Sequence, residues 1–189
     1  MKNLKWFARP DKFKNRLIMV ILGVLIQGFG LSWIIEVSFG TDPCSAFTQG
    51  VISHVPLSFG TAQLLINIIL FVVVFLADTS LIGFGTIANM VFIGYISDFC
   101  RFIYSKTLPA ELFQNTTTRV IILIPALIVF ILGAAMYMTA GLGTSPYDAI
   151  AFIVSERAEN IPFKFIRMSW DIIFLLLGWI MGGNIGVVT

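Results

Sequence analysis

The chain has 189 residues, of which 58% are apolar and only 12% charged, and its mean hydropathy is +0.94. A soluble domain carries about 45–50% apolar and about 25% charged residues, so this chain has too little polar surface to cover itself in water and lipid must cover much of it. The formal net charge is only +2, and its distribution says more than its size.

Residues 1–16 hold Lys2, Lys5, Arg9, Lys12, Lys14 and Arg16 against a single acid, Asp11. The apolar run that follows, Leu17–Val37, is longer than a signal-peptide core, and no A-x-A site closes it. It reads as a retained first helix with the basic segment in the cytoplasm. A spanning helix needs about 20 mostly apolar residues, and Gly60–Ala77, Thr86–Tyr104 and Val120–Ala140 meet that length or nearly so. Phe165–Met181 is slightly short but strongly apolar. Pro43–Val55 and Pro146–Ala158 are shorter still, and fit re-entrant segments, half-helices or short spans. The fold class expected is therefore all-α, a polytopic helical membrane protein.

The chain also resembles itself. A shift of 103 positions lays Phe39-Gly40-Thr41-Asp42-Pro43 on Leu142-Gly143-Thr144-Ser145-Pro146, Gly30 on Gly133, and Ile82-Gly83 on Ile185-Gly186. The matches cluster at turns, where composition does not force them, which is the mark of an internal repeat. Two tandem repeats are expected, 17–104 and 119–189, joined by a cytoplasmic loop at 105–118. The second copy stops at Thr189, opposite Thr86, so its last helix is expected to be absent through truncation.

Basic residues bear on the topology. If both short segments cross the membrane, Arg101, Lys106, Arg119, Arg157, Lys164 and Arg167 all fall on the side of the basic N-terminus. If the short segments re-enter, Arg101, Lys106 and Arg119 fall on the opposite side. The positive-inside bias favours crossing, which makes the copies parallel, related by an axis along the membrane normal.

Polar residues within apolar runs mark candidate sites, because an ionisable group in a bilayer is costly and turns toward the bundle interior or a water-filled path. Asn67, Asp98, Asp148 and Asp171 stand out, with Gln27 and Gln63 behind them. Asn67 matches Asp171 if one gap is allowed, and Asp171, near mid-run, is the candidate for proton or cation coupling. Asp98 and Arg101 share a face and suit an ion pair. In the turns Gly40-Thr41-Asp42-Pro43 and Gly143-Thr144-Ser145-Pro146, Asp42 and Ser145 are good N-caps and Pro43 and Pro146 suit the first helical position. Their free N–H groups and the Thr and Ser hydroxyls offer a place for an anionic or polar group. Cys44 and Cys100 match no metal or redox spacing, and the lone His54 sits near an interface. No Ser/His/Asp set, H-E-x-x-H pair, P-loop or dinucleotide fingerprint is present. No catalytic residue, metal site or cofactor is therefore expected, and the chain is not read as an enzyme.

The basic start, the G-T-D-P turn at Gly40–Pro43, the S-F-G-T run at Ser58–Thr61, Asn67, the I-G-F-G-T turn at Ile82–Thr86 and the Gly94/Asp98 pair together resemble the YczE/YyaS/YitT group of bacterial membrane proteins. The repeated G-T-x-P unit is most similar to YczE-like members. The resemblance implies a multi-pass protein of the bacterial cytoplasmic membrane, with transport as the usual function inferred for the group. The leading expectation is a small-solute transporter whose path lies between the repeats, lined by Thr41, Asp42, Asn67, Asp98, Thr144, Ser145, Asp148 and Asp171, with Gly40, Pro43, Gly143 and Pro146 shaping the turns. The alternative is a non-transporting sensor or partner-binding module. The expected partners are the lipid bilayer, an unknown small solute and a second copy of the chain, with no nucleic acid.

Overall fold

The computed structural model describes residue 7, residues 9–158 and residues 160–189, and everything in the described part is helix or connection. Seven α-helices follow one another: α1 Phe13–Val37, α2 Pro43–Ile52, α3 Phe59–Ala77, α4 Phe84–Thr107, α5 Thr116–Thr139, α6 Pro146–Arg157 and α7 Phe163–Ile180. Single 3₁₀ turns stand at Thr79–Leu81 and Ala110–Phe113. Each expected helix is present, with its ends moved by a turn or less. Lys2 and Lys5 of the basic segment lie outside the described residues.

Local chemistry sets the boundaries. Asp42 caps α2 by accepting from Ser45 N at 3.1 Å, and Pro43 takes the first helical position. Ser145 caps α6 in the same way, accepting from Asp148 N at 3.1 Å ahead of Pro146. Ser58 and Asn115 cap α3 and α5. Each cap satisfies an N–H that the first turn of a helix leaves without a partner.

Among the described residues, α1, α3, α4 and α5 are long and apolar enough to cross a membrane. Their outer faces fit lipid: Ile121, Ile124, Ile128 and Ile131 of α5 are each 59–65% exposed, where water would penalise them. The chain is thus a membrane protein built of helices. α7 has 18 residues and carries Lys164, Arg167 and Asp171.

The contacts between helices fix their directions. α1 and α5 pack most closely, and they run antiparallel. Arg16, at the start of α1, donates to Ala140 O at 3.0 Å, just past the end of α5. Arg119, at the start of α5, donates to Val37 O at 2.7 Å, at the end of α1. Between them, glycines let the backbones touch: a Cβ on Gly30 would stand 2.6 Å from Phe130 N, and one on Gly133 would overlap Gln27 N. α4 runs alongside α1, its start beside Phe13 through Phe84 and its end beside Glu36 through Arg101. α3 begins at the end of the bundle where α1 finishes, because Gly60 N donates to Asp98 Oδ2 at 2.8 Å. α7 finishes at that same end, where Ser53 Oγ donates to Met181 O and Val188 N to Phe39 O.

Two expectations change as a result. α1 finishes and α3 starts at one end of the bundle, so α2 between them does not cross; it re-enters. α6 does the same at the opposite end, between the finish of α5 and the start of α7. Second, the parallel arrangement is not found. An axis that exchanges α1 with antiparallel α5 lies across the bundle. Arg16 and the loop 105–118 accordingly lie at opposite ends of α1, with Phe113 of the loop 6.0 Å from the Trp33 ring. The charge count failed because the positive-inside bias acts on the sum over loops, and Arg101 and Arg119 are held by specific partners, Glu36 and the C-terminal carbonyls of α1.

Many contacts come in pairs that exchange under the 103-residue shift. Arg16 to Ala140 answers Arg119 to Val37. Gly85 N to Leu142 O, 2.7 Å, answers Val188 N to Phe39 O, 3.1 Å. Gly83 N to Thr86 Oγ1, 3.0 Å, answers Gly186 N to Thr189 Oγ1, 3.2 Å. Gly40 and Gly143 both have left-handed backbones, at φ 97° and 106°, and each is pressed against the other half, Gly40 on Gly186 and Gly143 on Gly83. No L side chain fits either position without strain.

Candidate functional site

The starts of the two re-entrant helices meet inside the molecule. Phe174 of α7 has Tyr147 of α6 at 4.8 Å and Phe47 of α2 at 5.4 Å, ring centre to ring centre. Farther along α6, Phe152 stacks on Phe163 at 4.8 Å, at the start of α7. With a rise of about 1.5 Å per residue, Phe174 is roughly 16 Å along α7 from Phe163, about half a bilayer core. Both half-helices therefore start deep and run outward to opposite ends.

A cavity of 220 Å³ lies at these starts. Its polar wall is Gln27 of α1, Asp42 and Ser45 of α2, Gln63 and Asn67 of α3, Asn89 of α4, Ser145, Tyr147 and Asp148 of α6, and Arg167 of α7. Leu31, Ile93, Phe130, Ala134 and Met138 supply its apolar wall, and Cys44 adds a thiol. A larger groove of 310 Å³ runs between α1 and α5 along Phe29, Trp33, Ile121 and Pro125. That groove is almost wholly apolar and lies beside exposed Phe29 and Ile121, which suits a lipid tail. The polar and ionisable side chains converge instead on the polar cavity.

One side of it is a closed ionic network. Arg167 Nη1 donates to Asp148 Oδ1 at 2.5 Å, and Arg167 Nε donates to Asp171 Oδ2 at 3.2 Å. Asp148 Oδ2 accepts from Ser145 Oγ at 2.7 Å, and Asp171 Oδ1 accepts from Tyr147 OH at 2.6 Å. The Arg167 guanidinium also lies over the Tyr147 ring, 4.9 Å from its centre. Such mutual satisfaction is what makes charges tolerable in low dielectric.

The opposite side is polar and unsatisfied. The side chain of Asn89, a residue 9% exposed, makes no hydrogen bond among the described residues. Asn67, 4% exposed, donates through Nδ2 to Gln63 O at 3.0 Å and leaves Oδ1 open. Gln27 Oε1 and Gln63 Oε1 are buried without a partner, the latter close to Gly94. The partner shown for the Asp42 carboxylate is its own cap contact, Ser45 N.

Of the residues expected to line a path, Asp42, Asn67, Ser145 and Asp148 do border the cavity, as does Pro43 of the first turn. Asp171 stands behind the wall, held by Arg167 and Tyr147, which removes the reason to assign it proton or cation coupling. Asp98 is elsewhere, accepting from Gly60 N across the α3–α4 contact that Gly60 and Gly94 make close. Its expected pairing with Arg101 exists only at 4.0 Å, because Arg101 makes its short contact, 2.7 Å, with Glu36. Thr41 is fully buried and accepts from Gln49 Nε2, while Thr144 N donates to Leu81 O. Gly40, Gly143 and Pro146 shape the turns. Asn89, Tyr147 and Arg167 were not anticipated. Asn89 is a polar residue one turn into an apolar helix, the same signal that Asn67 gave, whereas Arg167 had been counted only as a boundary charge.

Among the described residues, no group of three or more His, Cys, Asp or Glu side chains converges to hold a metal. Comparison with known proteins supplies a family but no activity. An uncharacterised membrane protein of Bacillus subtilis, YczE, is 30% identical over 88% of this chain and 75% of its own length. A second B. subtilis protein, the uncharacterised YyaS, is 26% identical over 89% of this chain and 82% of its own. An uncharacterised Haemophilus influenzae protein is 25% identical over 90% of this chain and 75% of its own. No solved structure matches. The family of unknown function DUF6198 matches residues 14–189, and the chain belongs to it.

Proposed function

We propose that this protein is a small-solute transporter built from two inverted repeats, 17–104 and 119–189, with the polar cavity between them as its binding site. The observation that carries the reading is the pair of half-helices α2 and α6, entering from opposite ends and starting at one buried polar cavity. Many secondary transporters use this arrangement: broken or re-entrant helices expose polar backbone only where it lines a site near the midplane. The reciprocal contacts support the inverted repeat. Two halves that make equivalent contacts have two equivalent ways to lean on each other, which is the physical basis of alternating access.

The same reading extends to the orientation. Arg9, Lys12, Lys14, Arg16, Arg157 and Lys164 are at the end where α1 starts, and Arg101, Lys106 and Arg119 are at the other. The excess supports an N-terminus on the cytoplasmic side of a bacterial inner membrane.

The test is reconstitution. Purified protein in liposomes should move at least one labelled solute, from a panel of amines, amino acids and organic acids, down its gradient faster than empty liposomes. A folded preparation that moves none of them contradicts transport and favours a sensor or a partner-binding module.

A further inference from the structure

The cavity has a sign. Asp42 and Asp148 are on its wall and Asp171 is directly behind, against one guanidinium, Arg167, already engaged with Asp148 and Asp171. Formal charge around the cavity is therefore negative, and Asp42 is the carboxylate that the network leaves without a cation.

Helix starts attract anions in general, but these two are partly occupied. Pro43 and Pro146 have no N–H to offer, and the N–H groups of Ser45 and Asp148 are taken by the caps Asp42 and Ser145. Each first turn also has a carboxylate of its own, Asp42 at one and Asp148 at the other, which answers the positive end of the helix. An incoming anion would meet a carboxylate at each start, with only the N–H of Cys44 and of Tyr147 to set against it.

The open groups include acceptors. Asn67 Oδ1 is open and Asn89 has no partner; both side chains are more than nine-tenths buried and both border the cavity. An amide oxygen accepts up to two hydrogen bonds and a carboxylate about four, so these groups suit a ligand that donates several. A bare metal ion would leave most of 220 Å³ empty and would not use the apolar wall of Leu31, Ile93 and Phe130. A small carbon skeleton with a charged donor head uses both.

We propose that the cavity binds a small protonated amine, with Asp42 as its counter-charge and the Asn67 and Asn89 amides as acceptors for its N–H groups. This assignment rests on the transport reading of the same cavity and names its substrate class.

The experiment is isothermal titration of the full chain in lipid nanodiscs with three probes: propylammonium, propionate and sodium ion. Propylammonium and propionate match in size and differ in charge. Propylammonium should bind saturably, and propionate and sodium should neither bind nor displace it. Asp42→Asn should weaken propylammonium at least tenfold; asparagine still caps a helix, so an unchanged thermal transition separates lost charge from lost fold. Asn89→Leu should weaken it several-fold. Binding of propionate, displacement by sodium, undiminished binding by Asp42→Asn, or no propylammonium binding each overturns the assignment. Flux in liposomes separates the two readings. Propionate binding with flux removes the amine and keeps transport, whereas propylammonium binding without flux of any solute removes transport.

Discussion

Arg119 donates to the carbonyl of Val37 at 2.7 Å, and this bond sets the start of α5 against the finish of α1. A second bond from the same guanidinium reaches Ser38 O at 3.1 Å. A cation at a helix C-terminus satisfies carbonyls that the helix leaves open and opposes the negative end of its dipole. Arg16 does the same for α5 through Ala140. The direction of two helices, and with it the topology, depends on these contacts.

The first prediction concerns sides. In a variant without native cysteines, Lys14→Cys and Asn115→Cys should react with a membrane-impermeant thiol reagent from opposite faces. Reaction of both from one face would restore the parallel arrangement.

The second concerns the two arginines. Hydrogen bonds from a charged donor contribute about 1.5–3 kcal/mol, so Arg16→Gln and Arg119→Gln should each lower stability by about that much. The thermal midpoint in detergent measures it. Arg119 makes the additional bond to Ser38 O, so its loss should be the larger of the two, and no loss for Arg16→Gln would count against the repeat.

The third concerns the α1–α5 seam. A Cβ on Gly133 overlaps the backbone of Gln27, and backbone cannot turn aside as a side chain can. Gly133→Leu should therefore cost about 3 kcal/mol or more, the upper range for overpacking. A melting temperature within a degree or two of the parent would show that the helices are not in contact there.

The fourth concerns the ionic network. The three side chains are part-buried, and losing a charged hydrogen-bond donor to two carboxylates costs about 1.5–3 kcal/mol. Arg167→Gln strands Asp148 and Asp171 together. It should destabilise the protein by about that amount, and adding Asp148→Asn should recover part of the loss. The double-mutant cycle on thermal or denaturant unfolding reads this directly, and additive losses would contradict the network.

The helices were legible in the sequence because an apolar run of about 20 residues has few other fates. The turns were legible too, because Asp42-Pro43 and Ser145-Pro146 carry both a cap and a first-turn proline. Asp42, Asn67, Ser145 and Asp148 were read as path residues on the same logic, and all four border the cavity. The directions of the helices were not legible. They depend on long-range contacts such as Arg119 with Val37, which leave no local pattern, and the basic residues pointed the other way. The partners of Asp171 were not legible for a related reason: an acid in an apolar run looks the same whether it faces a cavity or an arginine one turn away.

The central claim is that one buried cavity opens in turn to both faces of the membrane. Cys44, native and 6% exposed, borders that cavity and serves as the probe once Cys100 is changed to serine. In liposomes of known orientation, a cationic, membrane-impermeant thiol reagent should modify Cys44 from either face. Modification from one face only would contradict the account, and would describe a fixed pocket rather than a transporter.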